Sequence, residues 1–155
     1  VICAKENSKI KQKSIVKKTL QEEAKISKNV FGLFQDRIEN VKKTLTEFLK
    51  IIPSKSIMGY GASTKGNVII QFCGLTKKMI PYAVERNPEK FGRYTPGSFI
   101  PIISEKRSRA LNPDFFLVMP WHFKKEIVSR EKLFLNKGGK LIFPLPNIRM
   151  VGKNK

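Results

Sequence analysis

The stretch of this chain best equipped for chemistry is Ile57-Met58-Gly59-Tyr60-Gly61-Ala62-Ser63-Thr64-Lys65-Gly66-Asn67. A short apolar run stops at a glycine, crosses small, hydroxylated and basic residues, and enters a second apolar run, Val68-Ile69-Ile70-Gln71-Phe72-Cys73. That is the outline of a strand, a phosphate-sized loop and a helix. Glycine at Gly59 and Gly61 is expected to let backbone amides approach an anion, while Ser63, Thr64 and Lys65 add hydrogen bonds and charge. The loop therefore reads as a seat for a nucleotide or another phosphorylated ligand. Gly66 follows Gly61 by five positions, so the dinucleotide fingerprint Gly-x-Gly-x-x-Gly is not met. Lys65 precedes Gly66, which is not a Walker loop either.

Two further segments are expected to join this loop at the carboxyl ends of neighbouring strands, Glu85-Arg86-Asn87 and Pro120-Trp121-His122. Glu85 ends a strand 24 residues beyond Gly61, where an acid accepts ribose hydroxyls; a solvated charge paired with Arg86 is the alternative. Lys65, Arg86, Lys90 and Arg93 could neutralise a diphosphate, although in so basic a chain each also suits solvated surface. Tyr94 and Trp121 offer faces for stacking a base or sugar, and Trp121 equally suits partial burial at a strand end. His122, the single histidine, opens a helix, where a neutral imidazole serves as base or donor or is merely a first-turn residue. There is no Ser-His-Asp order and no paired-carboxylate motif. Cys3 and Cys73 lack C-x-x-C spacing and fall short of a four-ligand zinc site. No catalytic residue and no metal ligand is assigned.

The elements that must position these residues alternate. Phe31, Phe34, Ile38, Val41, Leu45, Phe48 and Ile52 recur at steps of three and four, predicting a long helix whose continuous stripe faces a core and which Pro53 ends. A weaker helical pattern covers 15–26. After Pro53, strands are predicted at 56–60, 79–85, 115–119 and 140–143, the last of the set, with a short edge strand at 99–103. Helices fall at about 65–73, closed by Gly74, at 105–111, capped by Ser104, and at 123–135 as one amphipathic run. Pro144, Pro146 and the basic end of the chain read as an exit from the fold. Nearly all-apolar strands separated by helices predict an α/β, Rossmann-like three-layer fold, with a mostly parallel sheet of four to five strands preceded by N-terminal helices. The expected organisation is a short apolar opening and linker at 1–14 and one Rossmann-like domain at 15–155, made of a helical lead-in at 15–52, an α/β unit at 53–146 and a tail at 147–155.

At 155 residues the chain has the size of one domain. Its formal charge of +19 suits anionic partners, but the lysines are spread through nearly every predicted helix and no nucleic-acid signature accompanies them. A nucleic-acid-binding module is the disfavoured alternative. The longest apolar runs, such as Phe115-Phe116-Leu117-Val118-Met119, are strand-length, so no membrane partner is expected. Nothing near the start reads as a signal peptide, and reduced thiols are expected, giving a cytoplasmic reading. The chain begins at Val1 without an initiator methionine, which predicts a piece of a longer polypeptide.

The loop at 59–67, the run Ile80-Pro81-Tyr82-Ala83-Val84-Glu85-Arg86-Asn87-Pro88-Glu89-Lys90-Phe91-Gly92-Arg93-Tyr94-Thr95-Pro96-Gly97, then Pro120-Trp121-His122-Phe123, and Gly138-Gly139-Lys140-Leu141-Ile142-Phe143-Pro144-Leu145-Pro146 together resemble the C-terminal domain of bacterial sugar C-methyltransferases. The resemblance spans roughly 15–146. It implies an S-adenosylmethionine-dependent enzyme of deoxysugar biosynthesis, acting on nucleotide-linked sugars. It also implies an N-terminal zinc-binding domain and a central S-adenosylmethionine domain upstream, with the catalytic base and the cofactor site in the latter. The 1–14 stretch would then be the end of that upstream domain and a linker, with Val1-Ile2-Cys3-Ala4 the last strand of the central domain, and this chain alone would not methylate. The residues expected to hold the nucleotide-linked sugar are Gly59, Tyr60, Gly61, Ala62, Ser63, Lys65, Gly66, Asn67, Glu85, Arg86, Asn87, Arg93, Trp121 and His122. A free-standing Rossmann domain binding S-adenosylmethionine or a dinucleotide is the alternative within enzymes.

Overall fold

The computed structural model describes residues 14–26, 28–53 and 56–152. The expected strand at 1–4 lies outside them. The chain divides into two compact units between Ile38 and Glu39. The first holds α1 (Ser14–Glu23) and the beginning of α2 (Lys28–Ile51). Of the apolar stripe expected along α2, Leu45 is fully enclosed, with Leu49 buried beside the stripe, and Ile38, Val41, Phe48 and Ile52 are half-buried, whereas Phe31 and Phe34 are 68% and 59% exposed. The enclosed positions belong to the second unit, and Phe31 and Phe34 to the first.

In the second unit, β1 (Ile57–Tyr60), β2 (Ala83–Glu85), β3 (Ile102–Ser104), β4 (Phe115–Val118) and β5 (Lys140–Phe143) are parallel, and β6 (Arg149–Val151) runs antiparallel beside β5. The sheet order is β3-β2-β1-β4-β5-β6, so its six strands exceed the four to five expected. The additional strand is β6. The prolines after Phe143 turn the chain back rather than out, and Met150 then pairs with Ile142. With one half-buried side chain among its three residues, β6 carries almost no apolar signal.

The strands are apolar on both sides because both faces are covered. Ile57, Leu117, Met119 and Ile142 pack with α2 and with Ile69 and Ile70 of α3 (Thr64–Phe72). Met58, Tyr60, Phe116 and Phe143 pack on the opposite face, with Ile127 of α5 (Lys124–Arg130) among them. Each fully buried side chain of this size contributes about 1.5–3 kcal/mol through removal from water. On that second face α4 (Glu105–Ala110) starts where expected, with Ser104 Oγ accepting the Arg107 N–H. Cys73 and Gly74 close α3, and Gly74 takes the left-handed conformation its position requires.

Two predicted elements are shorter than the pattern implied. Only Ala83–Glu85 pairs as β2, because Met79 and Ile80 donate their amides to Thr76 in a turn and Pro81 has no amide to give. The helix expected at 123–135 is broken: a 3-10 turn (Trp121–Phe123) precedes α5, and α6 (Lys132–Asn136) restarts after Glu131. Glu131 leaves helical geometry and is only 4% exposed. Its carboxylate accepts from the Tyr60 hydroxyl at 2.8 Å and from Arg109 at 2.5 Å, an acidic group buried only because it is paired.

Gly66 sits where α3 meets the end of β4. A Cβ there would lie 2.4 Å from Met119 Cβ, so the helix and strand are in near-backbone contact. Gly66→Ala is therefore expected to lower stability by about 1–3 kcal/mol through overpacking. Urea unfolding checks this: the midpoint should fall while the slope stays constant, and an unchanged midpoint would show that the contact relaxes freely.

Candidate functional site

Because β1, β2 and β4 are parallel, their carboxyl ends share one edge of the sheet, and the sequence order changes direction between β1 and β4. Open sheets of this kind hold ligands at that crevice. The glycines of the loop do not act there as anticipated. Gly59 belongs to β1 and donates its amide to Tyr82 O at 2.9 Å, while the Gly61 N–H donates to Val84 O at 2.7 Å, so neither amide is left for an anion. Gly61 is required for another reason: its φ is +89°, and a Cβ would stand 3.0 Å from Pro120 Cδ. The open donors lie further on. Ser63 caps α3 by accepting the Gly66 N–H at 3.1 Å, and the amides of Thr64 and Lys65 in the first turn have no intrahelical acceptor.

Glu85 fastens this loop to the next. Its Oε2 accepts from the Ala62 N–H at 3.1 Å and from Lys90 Nζ at 3.3 Å, and its Oε1 accepts from the amides of Arg86 at 2.8 Å and Asn87 at 3.3 Å. Lys90 also donates to Ala62 O at 3.1 Å, and Asn87 Oδ1 caps the 3-10 turn Pro88–Lys90 by accepting the Glu89 N–H. Both carboxylate oxygens are thus committed to four donors within the protein. Burial pushes the Glu85 carboxyl up, but the amides of Arg86 and Asn87 and the Lys90 ammonium outweigh it and hold the group below its usual value of 4.5.

Two cavities flank Ser63. One, of about 290 Å³, lies between the first turn of α3 and the 93–96 segment; Ala62, Ser63, Thr64, Asn67, Arg93 and Tyr94 line it. Asn67 Oδ1 is shielded from solvent and has no hydrogen-bond partner within the protein. The far wall is braced, with Thr95 Oγ1 accepting the Ile100 N–H and Gln71 Nε2 donating to Pro96 O. The second cavity, of about 160 Å³, is bounded by Tyr60, Gly61, Glu85, Arg86, Glu105 and Arg130. The Tyr60 hydroxyl donates to Glu131 and accepts from Arg130; burial pushes its pKa up to about 12, so it stands there as a neutral phenol. A further cavity, of about 550 Å³, reaches toward the amino-terminal ends of β4 and β5, beside Asp114 and Gly139.

The structure thus brings together Tyr60, Gly61, Ala62, Ser63, Asn67, Glu85, Arg86 and Arg93. Gly59 and Gly66 are buried supports, and Asn87 is a turn cap. Lys65 is exposed and lines neither cavity beside Ser63. Trp121 is half-buried against both cores and edge-on to the exposed His122, and neither borders these cavities. Glu105 and Arg130 were missed. The Ser104 cap marks Glu105 as the first residue of a helix, but nothing in the pattern distinguishes Arg130 among 31 basic residues.

The lowered Glu85 pKa fixes a pH dependence. A depressed carboxyl contributes stability that is present above its unfolded value, near 4.5, and is lost as pH falls through the folded value. Wild-type protein should therefore lose stability below about pH 4.5 more steeply than Glu85→Gln, as read by urea midpoints against pH. Parallel curves would show that the clamp contributes nothing.

Among the described residues no helix is long and apolar enough to cross a membrane, and no group of three or more His, Cys, Asp or Glu could hold a metal. The family of C-methyltransferase C-terminal domains matches residues 1–146. The chain is also 36% identical over 120 residues to the C-methyltransferase NovU of Streptomyces niveus, a match covering 76% of this chain but only 29% of that protein. With the match running through the glycine loop, the Glu85 clamp and the turn after β4 that carries Trp121, the chain belongs to the C-methyltransferase C-terminal domain family.

Proposed function

We propose that this chain is the substrate-holding domain of an S-adenosylmethionine-dependent C-methyltransferase, binding a nucleotide-linked sugar for methyl transfer by an upstream domain of the same polypeptide. The observation that carries this reading is the cavity of about 290 Å³ at the carboxyl edge, where Ser63, Thr64, Asn67, Arg93 and Tyr94 gather hydroxyl, amide, guanidinium and aromatic groups. Such groups suit the hydroxyls, phosphates and base of a sugar nucleotide. The strand order β3-β2-β1-β4-β5-β6 supports a Rossmann-like assignment, with the ligand at the β1/β4 crevice. Arg93 and Tyr94 line the same cavity, placing a charge for phosphate and a ring for stacking. The free, buried thiol of Cys73 suits a reducing cytoplasm.

S-adenosylmethionine would supply the methyl group, but the residues here do not fit it. Its ribose wants an acidic acceptor at the end of β2, and Glu85 in that position has both oxygens engaged by Ala62, Arg86, Asn87 and Lys90. The same observation disfavours a free-standing dinucleotide-binding domain. What this chain contributes is positioning: it binds and orients the sugar nucleotide, and no proton transfer is assigned to its residues.

Calorimetric titration with uridine and thymidine diphosphate glucose tests the reading. Arg93→Ala should weaken binding by about 1 kcal/mol, and Lys65→Ala by less. Single-stranded RNA binding more tightly than either nucleotide sugar, with a steep salt dependence, would overturn it in favour of a nucleic-acid module.

A further inference from the structure

The smaller cavity beside Ser63 has an unusual wall. Glu105, the first residue of α4, stands between two guanidinium groups: its Oε2 is 3.9 Å from Arg86 Nε, and its Oε1 is 3.8 Å from Arg130 Nη2. Both separations exceed hydrogen-bond reach. The carboxylate therefore balances the two cations without engaging their donors. The three residues come from separate elements, Arg86 just after β2, Glu105 at the start of α4 and Arg130 at the end of α5, and they meet only at the carboxyl edge of the sheet.

We propose that Arg86 and Arg130 form a binding site for one phosphoryl group, and that Glu105 is its internal occupant, swinging aside when the ligand's phosphate arrives. The identity of the ligand as a nucleotide-linked sugar rests on the function proposed above; the anion site itself does not. A guanidinium presents its donors in a planar fork that matches phosphate oxygens. Arg130 is already oriented, because its Nη2 donates to the Tyr60 hydroxyl and its Nε lies 3.8 Å from Glu131. Preorganisation of this kind reduces the entropy lost on binding. Ser63 borders the same space, and its oxygen accepts from Gly66, which leaves the hydroxyl proton to donate. Glu85 also borders it, but its charge is spent on four donors, one of them the Lys90 ammonium. Glu105 is the carboxylate without such commitments, and its side chain is 36% exposed, with solvent to move into.

Pyrophosphate and thymidine diphosphate glucose, titrated calorimetrically at fixed ionic strength into wild type, Glu105→Gln, Arg86→Ala and Arg130→Lys, test the site. Removing the competing charge in Glu105→Gln should tighten pyrophosphate binding by about threefold to tenfold, while Arg86→Ala and Arg130→Lys each weaken it by about threefold or more. Glu105→Gln binding pyrophosphate as wild type does, or more weakly, would overturn the proposal. Should Arg130→Lys unfold through loss of its hold on Tyr60, the exposed Arg86→Ala and Glu105→Gln decide the matter. Pyrophosphate following the expected pattern while the nucleotide sugar fails to bind would keep the anion site and remove the proposed ligand. A nucleotide sugar bound equally by all four proteins would remove the anion site and leave the proposed function standing.

Discussion

The carboxyl edge of the sheet is held in shape by the Glu85 carboxylate and its four donors. Two of those donors are amides of the turn that follows β2, one is the amide of Ala62 in the loop after β1, and the last is the Lys90 ammonium, which also reaches Ala62 O. The carboxylate thus does with one side chain what neither loop can do with its own backbone. It fixes the distance between them, and with it the position of Ser63 and the cavities on either side. A carboxylate accepting several backbone amides is strongly stabilised in its charged form, so the cross-link is firm at neutral pH.

Two other contacts extend this order through the fold. Gly66 lets α3 lie against Met119 closely enough that Asn67, one residue on, is carried into the cavity wall. On the opposite face, Glu131 interrupts the helix after β4 and draws Tyr60 and Arg109 together, with Arg109 resting 5.0 Å from the Phe116 ring centroid. Arg130 is the neighbour of that buried carboxylate and is held by Tyr60, so the second face supplies a cation to the same edge. A buried charge persists only when paired, and here the pairing links core packing to the rim of the site.

Much of this was legible in the residues. Runs such as Phe115-Phe116-Leu117-Val118 read as strands covered on both faces, Ser104 read as a helix cap, and the loops after β1 and β2 meet as expected, whereas of the segment after β4 only Pro120, not Trp121 or His122, borders the cavities. What escaped was tertiary in origin. Gly59 and Gly61 look like an anion cradle until the pairing of β1 with β2 consumes their amides. The stripe on α2 is periodic along its length, but periodicity does not say which positions meet a core, and Phe31 and Phe34 stay exposed. The break at Glu131 depends on partners from β1 and α4, which no local pattern encodes. Glu105 and Arg130 are ordinary surface charges in sequence and acquire meaning only through their shared neighbour.

Hydrogen–deuterium exchange of the protein with and without thymidine diphosphate glucose tests the central claim, that a nucleotide-linked sugar is held at this edge. The account predicts slowed exchange at the amides of Thr64 and Lys65, which lack intrahelical acceptors, and in the 92–96 segment across the cavity, with α1 and the outer side of α6 unchanged. Protection confined to α1, α6 or the amino-terminal ends of β4 and β5, with none in the 62–67 loop, would contradict it.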